Sequence, residues 1–233
     1  MSIKKNIKVK TIFNKISFKY DFLNNLLSFG IHKLWKKKLV YLLRPKSGEN
    51  WADLCCGTGD LTFQIYNRLG QNGSIIGIDS AIEIINIAKE KSDRIKNSFI
   101  QWEIKDIMEI NESSQKFDGI CMSYGLRNLD NVEEGIKKVF YLLNEKGRAG
   151  FLDFNHSKRN SISNIFQTIY LRKVVVPISK IFNLNKEYTY IEKSIKSFPS
   201  GNELVKIAQK VGFKNIEYRN IFFGQMGILI VKK

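Results

Sequence analysis

The residues of this 233-residue chain that could do chemistry gather at a few turns. Asp53-Leu-Cys-Cys-Gly57-Thr58-Gly59 sets an acid before two adjacent cysteines and two glycines one residue apart. Asp79 follows Gly59 by twenty residues and closes the apolar run "GSIIGID". A glycine turn between a strand and a helix presents backbone N–H groups and a positive helix end to a cofactor. A carboxylate at the end of the next strand can accept from both hydroxyls of a ribose. Further along, Arg127 and Asn128 in "YGLRN" put a cation beside an amide, groups suited to stabilising a developing oxyanion.

The adjacent cysteines invite a redox or metal reading, and the rest of the sequence argues against it. Cys55, Cys56 and Cys121 make no disulfide framework, and neighbours in sequence are poorly placed to bond each other. His32 and His156 lie far apart and no Cys-x-x-Cys occurs, so no metal site is expected. The formal charge of +16 suggests attraction to phosphate. Yet the basic residues are mostly lysine in a sequence also rich in Ile and Asn, a mixture that AT-rich coding produces unaided. No basic run is interleaved with aromatics as in a single-strand groove, so nucleic acid is not an expected partner.

The elements that must position these residues read as one α/β domain. "NWADLCC", "GSIIGID", "SFIQWEIKD" and "FDGICMSYG" read as strands, and "NEKG" as a turn into a fifth, "RAGFLDF". Amphipathic segments lie between them, two opened by cap patterns three residues apart (Ser80/Glu83 and Asp130/Glu133). Alternation of this kind implies right-handed βαβ units and a parallel sheet. The tail predicts a helix capped by Ser200 and Glu203, then an antiparallel hairpin turning near Gly224. The spans divide into an N-terminal helical lid over 1–45, a cofactor-binding core over 46–155, a helical insertion over 156–190 and a C-terminal helix and hairpin over 191–233. No stretch is apolar enough to span a bilayer, and "MSIKKNIKVKTIFN" has no signal-peptide core and leaves no room for a long transit sequence.

The glycine loop resembles that of S-adenosylmethionine-dependent methyltransferases, with Cys55 where their first glycine stands. A dinucleotide-binding dehydrogenase would need a third glycine at the helix start, where Thr62 stands. "FNKISFKYDFLNNLLSFGIHKLWKK", "DLCCGTGDL", "SYGLRNL" and "FPSGNELVKIAQKVGF" together resemble the ubiquinone/menaquinone C-methyltransferase family, over about 13–231. "LCCG", "VVVP" at 174–177 and "GQMGILIVKK" are similar to its cyanobacterial and plastid branch, which methylates 2-phytyl-1,4-naphthoquinone. The resemblance implies a Rossmann-like class I fold, with a mostly parallel seven-stranded sheet ending in the reversed hairpin. It implies C-methylation of a prenylated naphthoquinol, foremost demethylphylloquinol; demethylmenaquinone, or dual ubiquinone/menaquinone methylation, stays open. With the Lys/Ile/Asn bias it also implies a plastid-encoded protein, or alternatively a bacterial cytoplasmic one.

A ring carbon becomes a competent nucleophile in the reduced quinol, so a group that stabilises its phenolate is required. Arg127 is the expected catalytic cation and Asn128 its companion; pairing of Arg127 with Asp130 is the plainer alternative. The resemblance implies S-adenosylmethionine contacts from Asp53, Gly57, Thr58, Gly59, Asp79, Ser80, Lys105, Asp106 and Ser123, with Asp60 a further candidate for the amino group. Tyr20, Asn24 and His32, at i, i+4 and i+12, approach one helical face and, with Tyr124, are the expected substrate contacts. For His32, simple packing is an alternative. Residues 162–182, with basic neighbours Lys158, Arg159, Arg172 and Lys173, suggest peripheral membrane contact. Two other classes are weighed. An RNA methyltransferase lacks its Asn/Asp-Pro-Pro-aromatic motif here. A non-catalytic cofactor-binding partner would not depend on Arg127 for turnover.

Overall fold

The computed structural model describes Thr11 and residues 30–95, 99–113, 116–155 and 185–233. Its centre is a seven-stranded sheet of order β3-β2-β1-β4-β5-β7-β6. In sequence order, β1 is Asn50–Leu54, β2 Ser74–Asp79, β3 Ile100–Ile104, β4 Phe117–Ser123, β5 Leu143–Phe154, β6 Asn215–Ile221 and β7 Met226–Lys232. β1 to β5 pair in parallel, and β7 enters antiparallel between β5 and β6. The described helices are α1 (His32–Leu43), α2 (Asp60–Leu69), α3 (Ile82–Arg94), α4 (Val132–Leu142), α5 (Asn185–Ser197) and α6 (Gly201–Val211).

Around the inner strands both sheet faces are buried, which is why β1, β2, β4 and β7 read as near-continuous apolar runs. The period of two sorts the side chains. Ala52, Leu54, Ile120 and Met122 join a core with α4 and α6, while Trp51 and Cys121 join a second core with α1 and α2. Asp53 lies between Ala52 and Leu54, so the same alternation turns it towards α2.

Several local expectations shift. Helix α6 has the expected capping box from Ser200 and Glu203. Helix α4 is capped one residue later than the pattern suggested: Asn131, not Asp130, accepts from the N–H groups of Glu133 and Glu134. Helix α3 starts after Ala81 with no side-chain cap, so Ser80 is not its cap; the Asp79 carboxylate instead accepts from Ala81 N–H. "NEKG" does not separate α4 from β5, which begins at Leu143 directly off the helix. The extra residues are absorbed as an irregularity: Phe117 pairs with Leu143 but Gly119 with Arg148, and Lys146 takes φ +66. Helix α5 runs across the 190/191 boundary. Tyr20, Asn24 and the segment 156–184 lie outside the described residues. No helix among the described residues is long and apolar enough to cross a membrane.

Candidate active site

The sheet order reverses between β1 and β4, and ligands of such sheets bind outside the carboxyl ends of the strands at that point. There the backbone leaves β1 through three left-handed residues in five: Cys55 at φ +54, Gly57 at +59 and Gly59 at +86. Cys56 N–H donates to Ile78 O at 3.1 Å and Gly59 N–H to Cys56 O at 3.1 Å, tying the turn to β2 and to itself. Cys55 therefore holds a glycine-like conformation, at a cost of about 1–2 kcal/mol for an L-residue. Gly59 has no alternative. A Cβ there would lie 2.5 Å from Trp102 Cη2 and 2.9 Å from Phe63 Cε2.

Asp79, at the end of β2, is the second fixed point. Its Oδ2 accepts from Gly57 N–H and its Oδ1 from Ala81 N–H, both at 3.0 Å. Burial pushes its carboxyl above the usual aspartate range, against the pull of N–H groups of Ala81, Gly57 and Ser80. Each carboxylate oxygen can accept more than one hydrogen bond, so Asp79 keeps acceptor capacity towards the space in front of it. That space is an open cleft. Gly57, Asp79, Ser80, Lys105, Asp106, Ser123, Tyr124 and Asn128 line it, together with the apolar surfaces of Cys55, Ile84, Ile107 and Leu129. Asp106 stands just beyond β3, where its Oδ1 caps a short 3₁₀ turn through Met108 N–H at 2.9 Å. Lys105 pairs with Glu103.

Other expected residues take different places. Asp53 is 1% exposed, accepting from Thr62 Oγ1 at 2.6 Å and Cys121 Sγ at 3.3 Å. Thr58 is buried, and its carbonyl accepts from Lys91 Nζ at 3.3 Å. Asp60 faces α1 and α3: Lys36 Nζ lies 3.0 Å from it, His32 Nε2 3.9 Å and Lys91 Nζ 4.0 Å. His32 is buried, so α1 is pinned to the start of α2 by a lysine and a histidine on one carboxylate. The cysteines stay protonated. Burial first, then neighbouring carboxylates including Asp79 and Asp53, pushes both the Cys55 and Cys56 thiols far above their ordinary value. Among the described residues no three His, Cys, Asp or Glu side chains assemble as metal ligands.

Arg127 does not pair with Asp130. Its Nη1 donates to Asp153 Oδ1 at 2.8 Å and to Tyr124 O at 2.7 Å, and its guanidinium carbon lies 5.1 Å from the Phe154 ring centroid. Its Nε is buried with no partner among the described residues. Asn128, in the cleft wall, donates to Tyr124 O at 3.0 Å and accepts from the phenol of Tyr190 at 3.2 Å. Neither Asp153 nor Tyr190 stands out in the sequence. An acid inside the apolar run "FLDF" is a usable signal for Asp153; nothing in "EYTYIEK" marks Tyr190.

The donor set fits a nucleoside bearing a charged amino-acid tail. Carboxylates and hydroxyls stand at strand ends, backbone polar groups line a glycine turn, and apolar surfaces lie where a flat base would rest. Fold and site together define a Rossmann-like S-adenosylmethionine-dependent methyltransferase. The protein belongs to the ubiE/COQ5 methyltransferase family, whose profile matches residues 1–233. It is 36% identical over 227 residues to the 2-phytyl-1,4-naphtoquinone methyltransferase of Nostoc punctiforme, spanning 97% of its own length and 98% of that relative's. It is 34% identical to the chloroplastic 2-phytyl-1,4-beta-naphthoquinone methyltransferase of Arabidopsis thaliana, spanning 96% and 87%. Among solved structures, the Haloferax volcanii complex of the Trm112 activator with a methyltransferase matches with TM-score 0.68 at 11% identity, spanning 94% of this protein and 96% of that one. A methyltransferase from Aquifex aeolicus matches with TM-score 0.60 at 14% identity, spanning 84% and 88%. At such identities these last two speak for the fold alone.

Proposed function

We propose that this protein methylates a ring carbon of a prenylated naphthoquinol, demethylphylloquinol, in phylloquinone synthesis. The observation that carries the reading is the cleft itself, walled on one side by Asp79 and Gly57 and on the other by Tyr124 and Asn128 of the "SYGLRN" turn. Relatives named for this activity, alike along nearly the whole sequence, supply the substrate class. When bound, S-adenosylmethionine supplies an electrophilic sulfonium methyl group.

The protein's part is to place and dry the reactants. Asp79 and the Gly57 turn hold the ribose side, and Asp106 with Lys105 the base side. Ser80 and Ser123 offer hydroxyls along the floor. Thr58 and Gly59 act from behind, by fixing the turn, and Asp53 fixes β1 to α2. Asn128 meets a ring oxygen of the quinol from the opposite wall. Arg127 holds the Tyr124 carbonyl and supplies the positive charge that favours the phenolate. His32 acts through Asp60, fixing α1 against the start of α2; Tyr20 and Asn24, outside the described residues, stay proposed substrate contacts on their sequence position alone. The Lys-, Ile- and Asn-rich composition and the chloroplastic and cyanobacterial relatives support a plastid setting, with the protein acting at the membrane that carries its substrate.

The test is direct: purified protein, labelled S-adenosylmethionine and reduced phytyl-naphthoquinol. Label in the quinol, and none with the oxidised quinone, is the expected result. No labelled product with phytyl- or polyprenyl-naphthoquinol rejects the proposal.

A further inference from the structure

The turn between β6 and β7 adopts a conformation its side chains disfavour. Phe222 and Phe223 lie at φ +49 and +54, followed by Gly224 at +82. Gly224 N–H donates to Ile221 O at 3.2 Å and Gln225 N–H to Phe222 O at 3.1 Å, so the turn is wound and hydrogen-bonded. Turns with consecutive left-handed residues are the province of Asn and Gly. Phe223 recovers nothing by burial, because it is 83% exposed. A disfavoured backbone that holds a phenylalanine out in water calls for a functional reason.

The surroundings supply one. The Phe222 ring packs on Trp35 of α1 at 5.1 Å and on Phe223 at 5.9 Å, joining the turn to that helix. Helix α1, "HKLWKKKLVYLL", has no acidic residue. Its buried Lys36 points inward to Asp60, while Lys33, Lys37 and Lys38 are exposed beside Leu34 (61%) and Tyr41 (70%). The location also matters. Phe154 pairs with Met226, so the turn projects from the carboxyl edge of the parallel strands, the edge on which the cleft opens. The Phe154 ring in turn contacts Tyr124 of the cleft wall at 5.9 Å.

We propose that the Phe222–Phe223 turn and the lysine-bearing face of α1 form one docking surface for an anionic lipid bilayer. Phe223 inserts at the acyl boundary, and Lys33, Lys37 and Lys38 face lipid phosphates. Lysines flanking exposed aromatics are the composition of interface-lying surfaces. Protein–protein interfaces, by contrast, are depleted in lysine. The surface stands on exposure, charge and backbone geometry. Only its use in passing a lipid-soluble quinol to the cleft rests on the function proposed above.

Co-sedimentation of the full-length protein with vesicles tests it. Vesicles of phosphatidylglycerol and phosphatidylcholine should retain the protein, less so at high salt, and phosphatidylcholine alone should retain little. Phe223→Asn suits the left-handed turn, so it should keep the melting temperature and the affinity for S-adenosylhomocysteine while weakening vesicle binding about tenfold. Lys33→Glu with Lys37→Glu and Lys38→Glu should abolish binding to the charged vesicles. Unchanged binding by Phe223→Asn overturns the proposal and moves the contact elsewhere on the protein. A wild-type protein indifferent to both vesicle types overturns it outright. Vesicle binding needs no turnover, so a protein that binds vesicles but methylates no naphthoquinol removes the functional reading and leaves this surface standing.

Discussion

Arg127 and Asp153 are joined twice. The guanidinium Nη1 donates to Asp153 Oδ1 at 2.8 Å, and the backbone N–H of the same arginine donates to Oδ2 at 3.1 Å. Both side groups are buried, 7% and 4% exposed. The pair locks the turn after β4 to the end of β5, and through Tyr124 O it fixes the wall on which Asn128 stands.

Removing one partner leaves the other buried and unpaired, which costs about 3–5 kcal/mol. Asp153→Ala is therefore expected to lower the melting temperature by roughly 10 °C for a protein of this size. Thermal unfolding followed by circular dichroism measures it, and a melting point within a degree or two of wild type would contradict the strut role of the pair.

Asp79 bonds Gly57 and Ala81 and retains acceptor capacity towards the cleft. Asp79→Asn removes a charged acceptor, worth about 1.5–3 kcal/mol. Affinity for S-adenosylhomocysteine should fall by about ten- to a hundredfold in calorimetry, with the fold intact. An affinity equal to wild type would remove Asp79 from the cofactor site.

The phenol of Tyr190 reaches Asn128 from α5. Tyr190→Phe deletes one hydrogen bond, worth about 1 kcal/mol, and should lower kcat/KM about fivefold while leaving S-adenosylhomocysteine affinity unchanged. Equal losses in cofactor affinity would show that α5 supports the whole cleft and not its substrate wall.

Asp53 gives stability an unusual pH response. Burial raises its carboxyl from 3.8 to about 6, only partly offset by hydrogen bonds from Thr62 and Cys121. The folded state thus keeps a proton that the unfolded state has released between those values. This group's contribution is fully present below pH 3.8 and is lost as pH rises through 6, on the order of 3 kcal/mol. Asp60 acts in the opposite sense. Burial opposes its ionisation, but Lys36, Lys91 and His32 outweigh it and hold the carboxyl below the ordinary value. Its contribution is present above the ordinary aspartate range and lost as pH falls. Urea unfolding from about pH 4 to 7 should show a rising stability gap between Asp53→Asn and wild type, in favour of the variant; a gap that stays constant with pH would refute the assignment.

Spacing along the sequence determined much of this protein. The alternation of apolar strands with amphipathic segments specified the parallel sheet, and the Gly224 turn its reversed last strand. The glycine loop and the acid twenty residues on specified two sides of the cleft, because both depend on local backbone geometry at strand ends. Helix starts were off by a residue where two polar neighbours, Asp130 and Asn131, could each cap. Only tertiary structure decided which polar groups face one another across long separations. Asp53 meets Cys121 across two strands, Arg127 takes Asp153 and not its neighbour Asp130, and Tyr190 reaches Asn128 from 62 positions away. Such pairings follow from sheet order and from which face a side group leaves, and the first two satisfy buried polar groups that would otherwise oppose folding. The local pattern says where a carboxylate or a cation stands in the sequence; the packed sheet decides what it touches.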